Sequence, residues 1–388
     1  MILLITFLIS PLISLPIIIY NIKKNRISGY VFLCLFLSLL AYFFIPPENY
    51  DLNRYYESFN DIKNISFLTV YNKYKLIDAS NYVFYLYMKL IQVLGLNKEC
   101  LPFVSVGIVY GIIFYIVNKE TSERKVYPLL PLFIILSMMP YIYIVSGIRN
   151  YLALSLVFFS IWYSIKYNKY IIPLVLFFIS FTLHKSIILV ILIYAVSCFV
   201  FSSKIIVRSL IIILTLLLLP FVSDVVLKSV VSILSSISAL ENYLTYFTYG
   251  SKWGIGSSGL NIKGLIANSV SMIPLYLSII FVIFTGDNSN KLKVFLILMA
   301  IVIFLFKASN TIFIRYSVIY WMVFTWYLII NIKRCNEEYR KSIFYWKFFM
   351  ILFLCLNLTF SFNYYKPLIV NSWGGDLLIS PPFLNGLQ

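Results

Sequence analysis

Long apolar runs broken by short polar ones recur from one end of the chain to the other. About 20 apolar residues carry a helix across a bilayer. By that measure about twelve spans fit, with eleven to fourteen as the range, at approximately 1–20, 30–46, 102–118, 127–146, 149–166, 170–184, 186–202, 206–222, 266–285, 294–309, 313–331 and 346–363. Segments 81–96 and 225–240 are also apolar; both are placed at the membrane interface, with an embedded or re-entrant helix as the open alternative. The pattern predicts an all-α polytopic membrane protein, residues 1–388 forming a single transmembrane domain. The amino terminus has no basic n-region, Pro11 and Pro16 interrupt its apolar run, and no small-residue cleavage site follows. It reads as a retained span, not a cleaved signal peptide.

Composition supports the same class. Of 388 residues, 61% are hydrophobic and 12% charged, too little charge to cover a soluble surface of that size. Cys34, Cys100, Cys198, Cys335 and Cys355 are scattered without metal-ligand spacing, and three fall in apolar runs. They read as small core residues, not as a disulfide framework. No internal repeat is evident, which disfavours the common transporter architectures.

The net charge of +17 is dispersed among short loops, not gathered on one soluble face, so nucleic acid is not implied as a partner. Orientation and contact with anionic membrane lipids account for most of it. The basic loops carry Lys23, Lys24 and Arg26; Lys119, Arg124 and Lys125; Lys166 and Lys169; Lys204 and Arg208; Lys291 and Lys293; and Lys333, Arg334, Arg340 and Lys341. If twelve spans alternate, all these loops fall on one side, which is then cytoplasmic, and both termini face outward. The outer side is left with two sizeable segments, residues 46–101 and 223–265.

Arg149 stands between two apolar runs, in Ser146-Gly147-Ile148-Arg149-Asn150-Tyr151, with no acidic neighbour in sequence. A guanidinium at mid-membrane costs roughly 2.5–3.5 kcal/mol on insertion scales. An anion arriving from outside the chain would explain its retention; snorkelling to headgroups is the plainer alternative. His184, the only histidine, and Arg315 fall at the same expected level, with Lys185 and Tyr316 beside them. Several cations at one level suggest a phosphate clamp, for which arginine's planar fork is suited. In the first outer segment, Asp51, Arg54, Tyr55 and Phe59 have spacing that would share a helix face. That helix either presents a carboxylate and a guanidinium to a substrate, or is solvated with Asp51 and Arg54 paired locally. In the second, a run of aromatics including Tyr249 and Trp253 leads into spaced glycines. It reads as a mobile lid with flat faces for sugar rings, or as an interfacial aromatic belt. No P-loop, dinucleotide fingerprint, zinc-protease motif or nucleophile elbow is present. With one histidine and no cysteine cluster, neither a metal nor a cofactor is expected.

The stretch Ser146-Gly147-Ile148-Arg149-Asn150-Tyr151-Leu152-Ala153-Leu154-Ser155 resembles the arginine motif of EpsG-like and Wzy-type polysaccharide polymerases. Phe181-Thr182-Leu183-His184-Lys185-Ser186 is similar to their histidine-x-serine element, and Asp51-Leu52-Asn53-Arg54-Tyr55 to their early Asp-Tyr region. Arg315-Tyr316 occupies the place of their late arginine. The resemblance implies a GT-C-like multi-spanning glycosyltransferase of the bacterial inner membrane, acting on the periplasmic face without metal. Its substrate would be an oligosaccharide on undecaprenyl diphosphate. It would transfer the growing glycan to the next lipid-linked unit in O-antigen or capsule synthesis. Arg149 and Arg315 would hold the diphosphate, and Asp51 or His184 would serve the acceptor hydroxyl. Arg54, Tyr55, Lys185, Tyr316, Tyr249 and Trp253 would line the substrate. An O-antigen ligase and a flippase for lipid-linked oligosaccharide remain the alternatives, and a chain-length regulator is left open as a partner.

Overall fold

The structure is a computed structural model and describes residues 2–48, 50–77, 82–200, 262–285, 291–306 and 310–373. Among these residues every regular element is a helix. In chain order they are α1 (Ile2–Ile9), α2 (Leu15–Lys23), α3 (Ile27–Tyr42), α4 (Asp51–Asp61), α5 (Phe67–Ile77), α6 (Tyr82–Val93), α7 (Cys100–Arg124), α8 (Leu129–Met138), α9 (Tyr141–Ser146), α10 (Ile148–Tyr167), α11 (Ile171–Leu183) and α12 (Ile187–Val200). There follow α13 (Ile262–Phe284), α14 (Lys291–Leu305), α15 (Asn310–Glu338) and α16 (Arg340–Trp373). Four stretches, Cys100–Arg124, Ile148–Tyr167, Ile312–Glu338 and Arg340–Thr359, are both long and apolar enough to cross a membrane.

Two expected spans are broken, each for a local reason. The run at 1–20 is two helices, because Pro11 and Pro16 lack amide protons to continue the ladder. Ser14 donates its hydroxyl to the Pro11 carbonyl at 2.6 Å in the turn between them. The run at 127–146 splits at Met139–Pro140. The residue before a proline is pushed out of the helical region, and Met139 is extended, at φ −108°, ψ 97°. The run at 206–222 and the segment at 225–240 lie outside the described residues.

The chain divides into two compact units, with boundaries after Ile188 and Asn357. The first holds α1 to α11. Its centre is α7, packed on α3, α10, α9 and α6. Small residues let α3 and α7 approach closely: Cys34 donates its thiol to the Gly107 carbonyl at 3.3 Å. A Cβ at Gly107 would lie 3.0 Å from the Ser38 hydroxyl. Gly107 and Gly111 are spaced one turn apart, the small-xxx-small pattern by which membrane helices pack. Segment 81–96, expected at the interface, forms α6, which packs against α11, α7, α5 and α4. The outer face of α11 exposes Ile171, Leu174, Val175 and Phe178, an apolar stripe suited to lipid.

Within the second unit α15 is the core helix. Its span is 78% buried, against 22% for that of α16. Tyr320 shares a 2.7 Å hydrogen bond with Ser278 of α13, and Tyr327 donates to the Thr285 carbonyl at 2.6 Å. Trp346 of α16 donates its indole N–H to the Leu277 carbonyl at 2.8 Å.

Candidate functional site

Arg149 is set in place by a break in the chain. The short helix α9 ends at Ser146, Gly147 leaves helical geometry, and α10 begins at Ile148. A Cβ at Gly147 would sit 3.0 Å from the Tyr143 carbonyl and 3.2 Å from the Tyr151 ring, so only glycine fits this corner comfortably. Arg149, the second residue of α10, is half-buried. Its guanidinium carbon lies 5.9 Å from the Tyr55 ring centroid, at the limit of cation–π reach. Its Nε is buried and makes no hydrogen bond, and Arg149 forms no ion pair among the described residues. The next residue repeats the pattern. Asn150 is only 5% exposed and its Nδ2 is also buried without a partner.

A buried donor without an acceptor costs about 1–3 kcal/mol, and folded proteins carry few. Here two consecutive residues carry one each. An anion with several acceptor oxygens would satisfy both, and a charged donor would contribute the stronger bond.

Tyr55 is held from the other side. Its ring meets Phe84 of α6 edge-on at 5.0 Å, and Phe84 is fully buried. The far end of α4 is fastened to α6 by Lys89, which is buried and is the one charged residue of that helix. Its ammonium donates to the carbonyls of Ile62 at 3.1 Å and Lys63 at 3.0 Å and to Gln92 Oε1 at 3.3 Å. Gln92 in turn donates to the Phe59 carbonyl. These contacts cap carbonyls that a helix end leaves unsatisfied.

Asp51, the first residue of α4, is half-buried and bonded to Arg54. Local pairing is therefore the outcome for these two, and Arg54 is 65% exposed. The expected common face is not formed. Leu52, Tyr56 and Phe59 make the buried side of α4, while Arg54 faces solvent. Five residues at about 100° each place Phe59 about 140° from Arg54, too far to share a face. Burial pushes the Tyr56 phenol up from its ordinary value, and the charge of Glu99 adds to the shift.

His184 ends α11. It is extended, at φ −156°, ψ 114°, and its amide donates to the Ser180 carbonyl at 2.9 Å. The imidazole is half-buried and Lys185 is exposed. Helices α10 and α11 form an antiparallel hairpin through the turn at 168–170. Arg149 and His184 therefore lie at the same end of that hairpin, and their distances along it from Asn168 differ by less than one helical turn. Arg315 and Tyr316 belong to the second unit, on α15, the arginine half-buried and the tyrosine buried. Tyr249 and Trp253 lie outside the described residues. Among the described residues no group of three His, Cys, Asp or Glu side chains is placed to hold a metal.

At the opposite end of the first unit two carboxylates of α7 meet part of the positive charge. Glu120 of α7 is buried; it accepts from Trp162 Nε1 and Lys166 Nζ, both at 2.8 Å, and from Arg124 Nε at 3.2 Å. Lys166 also meets Glu123 at 2.5 Å. Asn25 accepts from the Thr121 hydroxyl at 3.1 Å, bringing the turn that follows α2 to the same end. Three of the basic loops are thus gathered at one end of the bundle, and Arg149 begins α10 about 25 Å from Lys166 along its axis, at ~1.5 Å per residue.

Sequence reasoning passed over Asn150, Lys89, Gln92 and Glu120. Lys89 carried the signal that singled out Arg149, a lone cation in an apolar run. At an interface, however, a lysine snorkels without consequence. Compared with known protein families, the chain matches the EpsG family model over residues 30–370, most of its length. No curated protein and no solved structure matches.

Proposed function

Because the chain belongs to the EpsG family, whose members are Wzy-type polymerase-like, we propose that it polymerises oligosaccharide repeat units carried on undecaprenyl diphosphate. The observation that carries this assignment is the pair of buried, unsatisfied donors at Arg149 Nε and Asn150 Nδ2. They sit at the motif by which the chain resembles polymerases; each needs an acceptor, and the charged one favours an anion.

In this scheme a twelve-span, GT-C-like protein binds the lipid diphosphate at the outer face of the bacterial inner membrane. Arg149 binds diphosphate oxygens. The bond between the anomeric carbon and the diphosphate oxygen breaks, and its electron pair stays on the departing diphosphate. Arginine contacts made before the reaction hold that growing charge; loss of one such contact typically costs about 2.7–4 kcal/mol of barrier. The new bond forms from the acceptor sugar hydroxyl to the anomeric carbon. Its proton passes to a base, for which Asp51, once released from Arg54, and His184 are the candidates. Lys185 flanks the substrate. Tyr55 has a more specific part, the surface on which the arginine rests.

The test is reconstitution of the purified full chain with a lipid-linked repeat unit alone, with and without chelator. A ladder of lengthening glycans, unchanged by chelator and abolished in Arg149→Lys, is the expected result. Intact repeat units after incubation with folded protein would overturn the assignment.

A further inference from the structure

The second unit carries a basic groove that the proposed reaction does not use. Helices α15 and α16 are joined at Tyr339, and the groove beside the junction is lined by Asn336, Arg340, Lys341, Phe344, Tyr345 and Lys347. It is open and about 670 Å³, within the range of small-ligand sites, about 300–1,000 Å³. Lys347 is bonded to Asn336 Oδ1 at 2.6 Å, and Arg334 is occupied by Glu338 at 2.6 Å. Arg340 and Lys341 have no carboxylate partner and no hydrogen bond among the described residues. At the Glu120 end of the first unit, by contrast, Arg124 and Lys166 meet a buried carboxylate.

What continues from the groove is apolar and uncovered. Phe344, Tyr345, Phe348, Phe349, Ile351 and Leu352 of α16 are exposed within the second unit. Lys341, Phe344, Phe348 and Leu352 follow one another at intervals of three and four, so a cation heads an apolar stripe on one helix face. An anionic head attached to a long hydrocarbon chain matches that arrangement; a soluble anion would use only its upper end.

We propose that this groove is a binding site for an anionic phospholipid. The phosphate lies between Arg340, Lys341 and Lys347, and an acyl chain lies along Phe344, Phe348 and Leu352. Basic residues near a membrane surface gain about 1 kcal/mol each from anionic lipid. Removing two should therefore weaken binding about thirtyfold. Neither Arg340 nor Lys341 belongs to the proposed reaction site, and both are exposed, so their replacement leaves the fold in place.

The experiment is native mass spectrometry of the full chain in detergent, titrated with phosphatidylglycerol, with phosphatidylcholine, or with glycerol 3-phosphate. The wild-type chain should retain phosphatidylglycerol through delipidating activation, and retain phosphatidylcholine far less. Glycerol 3-phosphate should not displace the lipid. The Arg340→Ala/Lys341→Ala double variant should lose the difference between the two lipids, while Phe348→Ser should weaken phosphatidylglycerol retention with the charges intact. Equal retention of both lipids by wild type, or an unchanged preference in the double variant, would overturn the site. Displacement by glycerol 3-phosphate would reassign the groove to a free phosphate ester and also overturn it.

Discussion

The guanidinium of Arg149 rests over the ring of Tyr55, 5.9 Å from carbon to centroid, and so links α10 to α4 across the first unit. The contact orients the charge without consuming a donor, because an aromatic face attracts a cation without accepting its conventional hydrogen bonds. The arginine stays available to a ligand while being held in place. A ring without the hydroxyl should serve as well: Tyr55→Phe should retain polymerisation. Tyr55→Leu should reduce it about twofold to thirtyfold, the range of about 0.5–2 kcal/mol for such contacts. Glycan ladders from cells carrying each variant, at matched protein levels, check this. Equal activity of the phenylalanine and leucine variants would sink it.

Replacing Arg149 by lysine keeps the charge and loses the fork. Activity should fall about a hundredfold to a thousandfold, as for loss of one preorganised contact to a developing charge. A time course with purified lipid-linked substrate measures it, and a near-normal rate would remove Arg149 from the chemistry.

Asn150 should show opposite effects on stability and activity. Its buried Nδ2 already lacks a partner, so Asn150→Leu removes an unsatisfied donor and should leave thermal stability unchanged or slightly raised. If the donor is kept for a ligand, the same variant loses activity. A falling melting temperature with normal glycan ladders would show that Asn150 serves packing instead.

Glu120 has the contrary role. It is buried and meets Lys166, Arg124 and Trp162. Glu120→Ala leaves Lys166 with only the exposed Glu123, and breaking a buried pair typically costs about 3–5 kcal/mol. Melting temperature in detergent should drop clearly, while the fraction that remains folded keeps its rate. The double variant Glu120→Leu/Lys166→Met should recover part of the loss, since the charges it leaves, Arg124 and Glu123, are exposed, while Trp162 Nε1 stays without its acceptor.

Lys89 fastens the end of α4 to α6 through the Ile62 and Lys63 carbonyls. Lys89→Met should loosen the turn after α4, raising protease cleavage near residues 62–66, and should slow polymerisation because Tyr55 loses its support. Unchanged protection of that turn would argue against the clamp.

Much of the architecture was legible because a bilayer leaves the backbone few choices. Apolar runs and their prolines gave the helices and their breaks: Pro11 and Pro16 behind the interruption after α1, Pro140 behind the end of α8. The basic loops of the first unit meet at one end, as their distribution predicted. Arg149 stood out for its cost. Glu120 did not, because a carboxylate at the end of a span reads as one more loop charge until Lys166, far along the chain, is seen beside it. The common face of Asp51, Arg54, Tyr55 and Phe59 failed on simple geometry, since spacing that fits pairwise does not close over a longer stretch. The match of Arg149 to Tyr55 depends on how α4 returns to α9, which no local pattern encodes.

Helix α10 has one end where Lys166 meets two carboxylates and another where two donors wait. The separation of about 25 Å at ~1.5 Å per residue exceeds the distance within which substitutions usually couple. Engineering can therefore treat the two as independent. Stabilising changes selected around Glu120 should combine additively with changes at Arg149 and Asn150, so a hardened background offers a tractable route to studying otherwise fragile catalytic variants.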